Sequence, residues 1–387
     1  VTAVYVRSLV SRTSLGDSGK QLAERLRTPD PALLGLPPML AMDCEDQQIR
    51  VPVHLASAYD PSSIKARFYT LLESIVERAI NEANLSASDL RRTGLFFSSS
   101  SSDVCLIEDR FAKDVAVNAD AVSLDWRCDI DNVGAHIRSK FGFGPVGMSV
   151  NTACASSANA TLYARGELLV GEIDHAIVVA LETFNATTAL GFHSLDLLTD
   201  SAMRPFDERR NGLILGEGSA AMVLSRSADS DTSLAVLGGA SLTDTHSISA
   251  SNPDGSSIEV VIRKALANSD VEAGSVWAVK SHGTASLLND EGESAGLTRV
   301  FGERLPMVSA LKPYIGHTFG ASGLCELSIL SSCLAEGFWP GTPGIGADEA
   351  ELGISLVQQA ENAKAGPILL NHFGFGGVNT CLVVSNV

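Results

Sequence analysis

The sequence has no CxxC pair, no regular cysteine spacing and no run of about 18 uninterrupted apolar residues. Its cysteines number seven in 387 residues, an odd count. A disulfide framework and a cysteine zinc site are therefore not expected, and a reducing, cytosolic compartment is. Without the apolar run, no transmembrane helix is expected. Residues 1–11 lack the long apolar block and small-residue cleavage site of a secretory signal, and position 1 is not Met, so a trimmed or processed chain is expected. Basic residues are also scarce: 28 Lys and Arg stand against 45 Asp and Glu, a net charge of −17. That disfavours a general nucleic-acid-binding role, which needs a basic face. An acidic protein partner would likewise need a local basic patch on an acidic surface. What remains is an ordinary globular composition, 45% hydrophobic and 19% charged, in a chain long enough for a large core or two domains.

Strand-like and helix-like segments alternate, which suggests α/β layering. In the first half, strands are expected at 94–97, 147–150, 175–180 and 220–224, and helices at 67–83 and 158–170. A polar stretch, 225–233, separates this block from a second one. There, strands are expected at 235–237, 276–279, 307–310, 368–371 and 381–384, and helices at 257–267, 290–301 and 321–336. Each half runs from a strand through a turn of reactive residues into a helix, a pattern consistent with internal duplication. Two units follow, 1–227 and 233–387. The serine run at 98–102 reads either as a solvated loop or as a buried interface turn.

Four segments carry candidate chemistry. Cys154, in Asn151-Thr152-Ala153-Cys154-Ala155-Ser156-Ser157, sits where a strand turns into a helix. A thiol there faces free backbone N–H groups and the positive helix end, which favours the nucleophilic thiolate. His282, in Ser281-His282-Gly283-Thr284, follows an apolar strand, and so does His317, in Lys312-Pro313-Tyr314-Ile315-Gly316-His317. Loops at strand ends are where open α/β sheets place ligands. The fourth segment is Asn371-His372-Phe373-Gly374-Phe375-Gly376-Gly377. A thiol and two imidazoles suit acyl transfer followed by stabilisation of an enolate. The glycine-rich turn could present N–H groups to an oxyanion. Singly, each has a structural reading: a buried thiol, a hydrogen-bonded core histidine, a simple turn. Only the ordered set is specific.

That ordered set resembles the β-ketoacyl-acyl-carrier-protein synthases of the thiolase superfamily, specifically the elongating Cys-His-His type, over residues from about 132 to 384. The resemblance implies an α/β, thiolase-like fold of two pseudo-duplicated halves in a layered αβαβα arrangement, with two mixed five-stranded sheets between helix layers. It implies Cys154 as the nucleophile, with His282 and His317 flanking the malonyl thioester carbonyl. Lys312 and Glu326 would fix the His317 region, and Asp290 and Glu293 would orient the loop after His-Gly-Thr. Phe373 would gate the malonyl site, and its N–H would join that of Cys154 in an oxyanion hole. Arg204, in Arg204-Pro205-Phe206-Asp207, would face the acyl carrier protein; Arg209 and Arg210 would either add to a basic patch or be, as such charges more often are, solvated surface charges or buried pairs. Gly216-Glu217-Gly218 belongs to the same signature.

The implied reaction is a decarboxylative Claisen condensation. An acyl group on Cys154 joins malonyl-acyl-carrier protein to give a 3-oxoacyl-acyl-carrier protein, in fatty acid, polyketide or aryl polyene-type biosynthesis. The implied enzyme is a cytoplasmic acyltransferase needing no metal and no cofactor. Its partners would be acyl carrier protein, acyl and malonyl thioesters, and a second copy or a second synthase-like subunit. Nucleic acid and a membrane span are not expected. Val6-Arg7-Ser8-Leu9 stands near the place of the family's Thr-Gly-x-Gly turn, and the 98–102 serines replace a Gly-rich region. These departures point towards a specialised pathway. Two other readings stay open: a catalytically silent, chain-length-factor-like partner, and a stand-alone malonyl decarboxylase. Cys381, followed by Leu382-Val383, reads as core and not as a thiolase's second cysteine. Ile107, Leu190 and Phe192 are candidate acyl-pocket residues.

Overall fold

The computed structural model describes residues 2–29, 35–44, 47–117, 130–229, 234–344 and 352–386. Among the described residues, ten strands join in one path made of two five-stranded halves; Gly16–Asp17 pairs off that path, and two small sheets stand apart from it, Met39–Cys44 with Gln47–His54 and Leu215–Gly216, and Phe338–Trp339 with Glu361–Asn362. From the centre outward, the first half runs Val4–Thr13, Gly218–Ser225, His175–Glu182, Thr93–Ser98, Gly147–Val150. The second runs Leu234–Thr243, Val378–Asn386, Gly366–Gly374, Ala278–Lys280, Met307–Ser309. The order is the same in both: first, fifth, fourth, second and third strand of each half. The pairing matches too. The outer three strands of each half are parallel, and the inner pairs are antiparallel. The duplication suspected from the sequence is thus a repeated topology. The halves meet where Val4 pairs with Val236 and Tyr5 with Ala235.

Both faces of each half-sheet are covered, so the central strands are apolar throughout instead of alternating with polar residues. Gly218–Ser225 and Thr93–Ser98 are buried along their whole length. Successive side chains still point to opposite faces. Val178 and Ala180 face a core shared with the helices Ser156–Val170 and Ser322–Ala335, whereas Ile177 and Val179 face the helices Ile64–Glu82 and Ile130–Phe141. In the second half Ile368 and Leu370 point inward, and Leu369 packs outward with the helices Ser256–Asn268 and Leu287–Phe301. The result is a helix–sheet–helix–sheet–helix stack, the layered thiolase-like arrangement. The first central helix has a wholly buried row of small residues, Ala158, Ala160 and Ala164, which lets the two sheets approach it closely.

The expected strands and helices are all present, most of them longer than their sequence signal. The strand at 235–237 extends over Leu234–Thr243, because its Gly238 and Gly239 lie under neighbouring chain. The N-terminal stretch left unassigned by sequence is the first central strand, Val4–Thr13. Val6-Arg7-Ser8-Leu9 lies within it, at a bulge between Val6 and Ser8. The expected division between 227 and 233 falls in a stretch of which 230–233 lie outside the described residues, as do the chain ends 1 and 387. Among the described residues, no helix is long and apolar enough to cross a membrane.

Candidate active site

Duplication sets the positions of the reactive groups. Cys154 follows the third strand of the first half, and His317 follows the third strand of the second. Each stands just before a central helix. Both turns are backbone-strained. Ala153 (φ 50°) and Phe319 (φ 42°) are non-glycine residues in the left-handed region, at about 1–3 kcal/mol each. The Cys154 turn is held by Ser156, whose Oγ donates to Ala153 O (2.6 Å) and accepts from Thr152 N–H (2.9 Å). Gly316, at φ 70°, has no room for a side chain: a Cβ would lie 2.5 Å from Leu215 O. The next residue is clamped to the same segment, His317 N–H donating to Ile214 O at 2.7 Å.

These constraints bring the thiol and the two imidazoles together. His317 Nε2 lies 3.1 Å from Cys154 Sγ. The His282 and His317 rings are 5.5 Å apart at 83°. All three residues line a cavity of about 410 Å³ together with Phe192, Phe373 and Phe375. Burial, and then the nearby Lys312 charge, hold both imidazoles well below the ordinary histidine value, so they are neutral at pH 7. Their hydrogen-bond partners fix where the protons sit. Lys312 Nζ faces His282 Nδ1 at 3.4 Å and can only donate, so His282 carries its proton on Nε2. Ser322 Oγ meets His317 Nδ1 at 3.1 Å, and Thr318 Oγ1 donates to Ser322 Oγ at 3.4 Å. A hydroxyl that accepts from Thr318 and gives its own proton to Nδ1 leaves His317 with Nε2–H as well.

Lys312 is wholly buried behind His282, outside the cavity, donating to His282 O (2.7 Å) and Glu326 Oε1 (2.8 Å). Glu326 is buried with it. Burial alone would raise its pKa, but Lys280 and Lys312 outweigh that and hold the carboxyl below its ordinary value. Glu293 accepts from the His282 and Gly283 N–H groups at 2.8 and 2.9 Å, and from Asn371 Nδ2. Asp290 accepts from Thr284 N–H (3.1 Å) and Phe206 N–H (2.8 Å); burial pushes it up to about 7. Both carboxylates therefore sit under the His282 loop. Glu217 ties Arg67 to the Ala56 and Phe184 N–H groups, away from the reacting groups.

Two expectations are corrected, and the arginine reading is narrowed. Cys154 does stand at a helix start, but burial outweighs that and pushes the thiol up to about 12, so the resting group is S–H. The N–H groups on Sγ are those of Cys154 and Phe375, not Phe373. Phe373 lies in its strand opposite Asn379, with its ring 5.5 Å from His282, while the Phe375 ring stacks on Phe192 at 5.3 Å. In the arginine stretch Arg209 is exposed and pairs with Asp207 at 3.1 Å, and Arg210 is buried, the solvated and buried-pair readings of such charges. Arg204 is half-buried, and Arg210, not Arg204, lines the cavity. Of the acyl-pocket candidates, Phe192 lines the cavity, Leu190 packs in the cluster that contains Cys154, and Ile107 is half-buried on the helix Val104–Val117.

Sequence reasoning missed Glu182. It is buried at the end of the strand His175–Glu182 and accepts from Ser100 N–H, Ser101 N–H and Gly320 N–H, each at 2.9 Å, and from the Ser99, Ser100 and Ser101 hydroxyls. The serine run is therefore a buried turn, pinned through one carboxylate to the turn after His317. The available signal was a single acid ending an apolar strand. Lys280, one residue past an expected strand, was missed for the same reason. Among the described residues no cluster suits a metal ion.

Two family models match, the β-ketoacyl synthase N-terminal domain over residues 61–230 and the β-ketoacyl synthase C-terminal domain over 234–345. A 3-oxoacyl-acyl-carrier-protein synthase 2 of Mycobacterium tuberculosis is 29% identical over 251 residues, 61% of this chain and 60% of that protein. The chain spans less than two thirds of the length of the curated relatives it matches. Among solved structures, a ketosynthase in complex with its chain length factor from Xenorhabdus doucetiae covers 100% of this chain and 98% of that one, at TM-score 0.81 and 23% identity. The ishigamide ketosynthase/chain length factor covers 100% and 99%, at TM-score 0.84 and 23% identity. At that identity the two structures establish the fold alone.

Proposed function

The chain belongs to the β-ketoacyl synthase family, and on that premise we propose that it catalyses decarboxylative condensation of an acyl group carried on Cys154 with malonyl-acyl-carrier protein. The observation that carries this reading is the thiol–imidazole contact, His317 Nε2 to Cys154 Sγ at 3.1 Å, beside a second neutral imidazole. In the first step the His317 Nε2–H donor steadies the developing charge on Sγ as it attacks an acyl-carrier thioester; the carrier S–acyl bond breaks, the thiol proton goes to the departing carrier thiol, and an S–acyl bond to Cys154 forms. The oxyanion of that step is met by the Cys154 and Phe375 N–H groups, which already reach Sγ. Malonyl-carrier then enters, its C–C bond breaks, and CO₂ leaves. The electron pair moves to the thioester oxygen between the two Nε2–H groups. The enolate carbon attacks the acyl carbonyl, the bond from that carbonyl to Cys154 Sγ breaks, and the departing thiolate takes one proton from solvent to return to S–H. Every atom and electron balances without a metal or redox group.

On this reading the carrier docks at Arg204; the loop that Asp290 holds through Phe206 N–H, two residues on, supports it. The pairing surface is placed at the sheet's free edge. There the strand Gly147–Val150 leaves Met148 exposed, and the nearby-in-sequence helix Val104–Val117 exposes Phe111, Val115 and Val117. The partner is a second copy or a synthase-like chain, as in the ketosynthase/chain length factor complexes of the same fold. The serines at 98–102 in place of a Gly-rich region, and Val6-Arg7-Ser8-Leu9 in place of the Thr-Gly-x-Gly turn, support a specialised pathway over housekeeping fatty acid synthesis. The free state of the described cysteines favours a reducing cytoplasm. Cys154 in contact with His317 weighs against a silent partner. The test is product analysis with acyl-carrier and malonyl-carrier together. A 3-oxoacyl-carrier two carbons longer, formed by the wild type and lost in His317→Ala, supports the reading. Carbon dioxide release without any condensed product would make the protein a decarboxylase instead.

A further inference from the structure

Behind the cavity lies a buried charge cluster that the proposed reaction does not consume. Glu326 bridges two lysines, with Lys312 Nζ on Oε1 at 2.8 Å and Lys280 Nζ on Oε2 at 2.6 Å. The lysines are arranged alike. Lys312 also donates to His282 O (2.7 Å) and faces His282 Nδ1 (3.4 Å), while Lys280 donates to Asn371 O (2.9 Å) and faces His372 Nδ1 (3.5 Å). His372 is wholly buried, and its Nε2 meets no hydrogen-bond partner among the described residues. One carboxylate thus serves two ammonium groups, although a single lysine would neutralise it.

We propose that Lys280 is a positioning residue for the cavity imidazoles: it holds Glu326 against Lys312 and sets a second positive charge behind His282 and His317. What that charge is for rests on the condensation reading, because it lies behind the two donors that would face the enolate. The groups acting with Lys280 come from every side: Glu326 and Lys312, Glu293 on the helix Leu287–Phe301, His372 and Cys381 on the two adjoining strands, and the two imidazoles. Its charge adds to burial and to Lys312 in keeping both imidazoles unprotonated. The Cys154 thiol instead feels Lys312 and Glu182. Burial pulls the Lys280 ammonium down to about 8, so this second charge is itself lost in mildly alkaline solution.

Lys280→Met and Lys280→Gln leave a neutral Lys312–Glu326 pair, so the fold has no stranded charge. The full-length protein, labelled with ¹⁵N-histidine, is titrated by NMR, and malonyl-carrier decarboxylation and Cys154 acylation are followed separately against pH. In both variants the His282 and His317 signals should begin to titrate at higher pH than in the wild type. The acid limb of decarboxylation should move the same way, to higher pH than in the wild type. At pH 7.5, away from the acid limb, Cys154 acylation should stay within about twofold of wild type, and Lys280→Arg should restore the acid limb. Unchanged histidine titrations, or equal losses in both reactions, would overturn the proposal and leave Lys280 a structural residue. If neither variant folds, the wild type decides: its imidazole signals should inflect as Lys280 loses its proton, and a flat response overturns the proposal. A wild type without either activity sinks the condensation reading, and the NMR titration still decides Lys280.

Discussion

Replacing Glu326 by Gln removes one negative charge from between two buried positive ones while preserving side-chain shape. Glu326 and Lys312 are inaccessible to solvent and Lys280 nearly so, and the two contacts are 2.8 and 2.6 Å. Breaking a buried pair by removing one partner typically costs about 3–5 kcal/mol, because an uncompensated charge stays in a medium of low permittivity. At pH 7 the variant should therefore be about 3–5 kcal/mol less stable than the wild type. The pH dependence has a definite sign. Wild-type Lys280 has its pKa lowered from 10.5 to about 8. Between those values the unfolded chain binds more protons, and this group's contribution to stability rises with pH. Without Glu326 the Lys280 ammonium sheds its proton at still lower pH, so the gap between the two proteins should narrow by pH 9. It should also narrow in acid. The Glu326 carboxyl is held below its ordinary value, so its stabilising contribution disappears as pH falls through that lowered value. Equilibrium urea unfolding at pH 4, 7 and 9 measures this. A variant within about 0.5 kcal/mol of wild type at pH 7 would refute the reasoning, as would a gap that widens at pH 9.

Other predictions concern the reacting groups. Ser322→Ala leaves His317 Nδ1 without its hydroxyl partner, so the imidazole loses its fixed Nε2–H form. Malonyl decarboxylation should fall roughly tenfold while the melting temperature stays close to wild type; an unchanged decarboxylation rate would remove Ser322 from the tautomer argument. Phe375→Pro deletes the N–H at Cys154 Sγ, and Gly374 already has the extended geometry a residue before proline requires (φ −113°, ψ 148°). Loss of one oxyanion donor should slow Cys154 acylation by about 10²–10³-fold in single-turnover measurements, whereas Phe375→Leu, which keeps the N–H, should slow it much less.

Chain-local signals were readable from sequence because they encode local backbone needs. The Cys154 turn, the Gly316-His317 pair and the Gly374–Gly377 turn each place a reactive or conformationally special residue at a strand end, and spacing alone ordered them. The helices at 158–170 and 321–336 and the strands of both halves other than Val4–Thr13 were legible because each carries a buried apolar run. What escaped depends on groups brought together from distant parts of the chain. Glu182 is significant only because the 99–101 turn and Gly320 converge on it. Lys280 is significant only because Glu326, Asn371 and His372 close around it. The Cys154 thiol was misjudged because a helix start favours the thiolate, while the surrounding burial, invisible in the sequence, favours the thiol more strongly. Phe373 and Phe375 lie two residues apart, and only the strand's end decides which N–H turns towards sulfur. The strand Val4–Thr13 alternates buried and half-buried positions with polar Arg7, Ser8 and Ser11, so its central place was hidden by its composition.

The central claim is that Cys154 carries the acyl chain. Intact-protein mass spectrometry after incubation with a panel of acyl-carrier thioesters, followed by malonyl-carrier, tests it most directly. The account predicts an adduct of one acyl group on the wild type, none on Cys154→Ala, and discharge of that adduct on adding malonyl-carrier. A correctly folded wild type that takes up no acyl group from any primer would contradict it and return the protein to the role of a silent partner subunit.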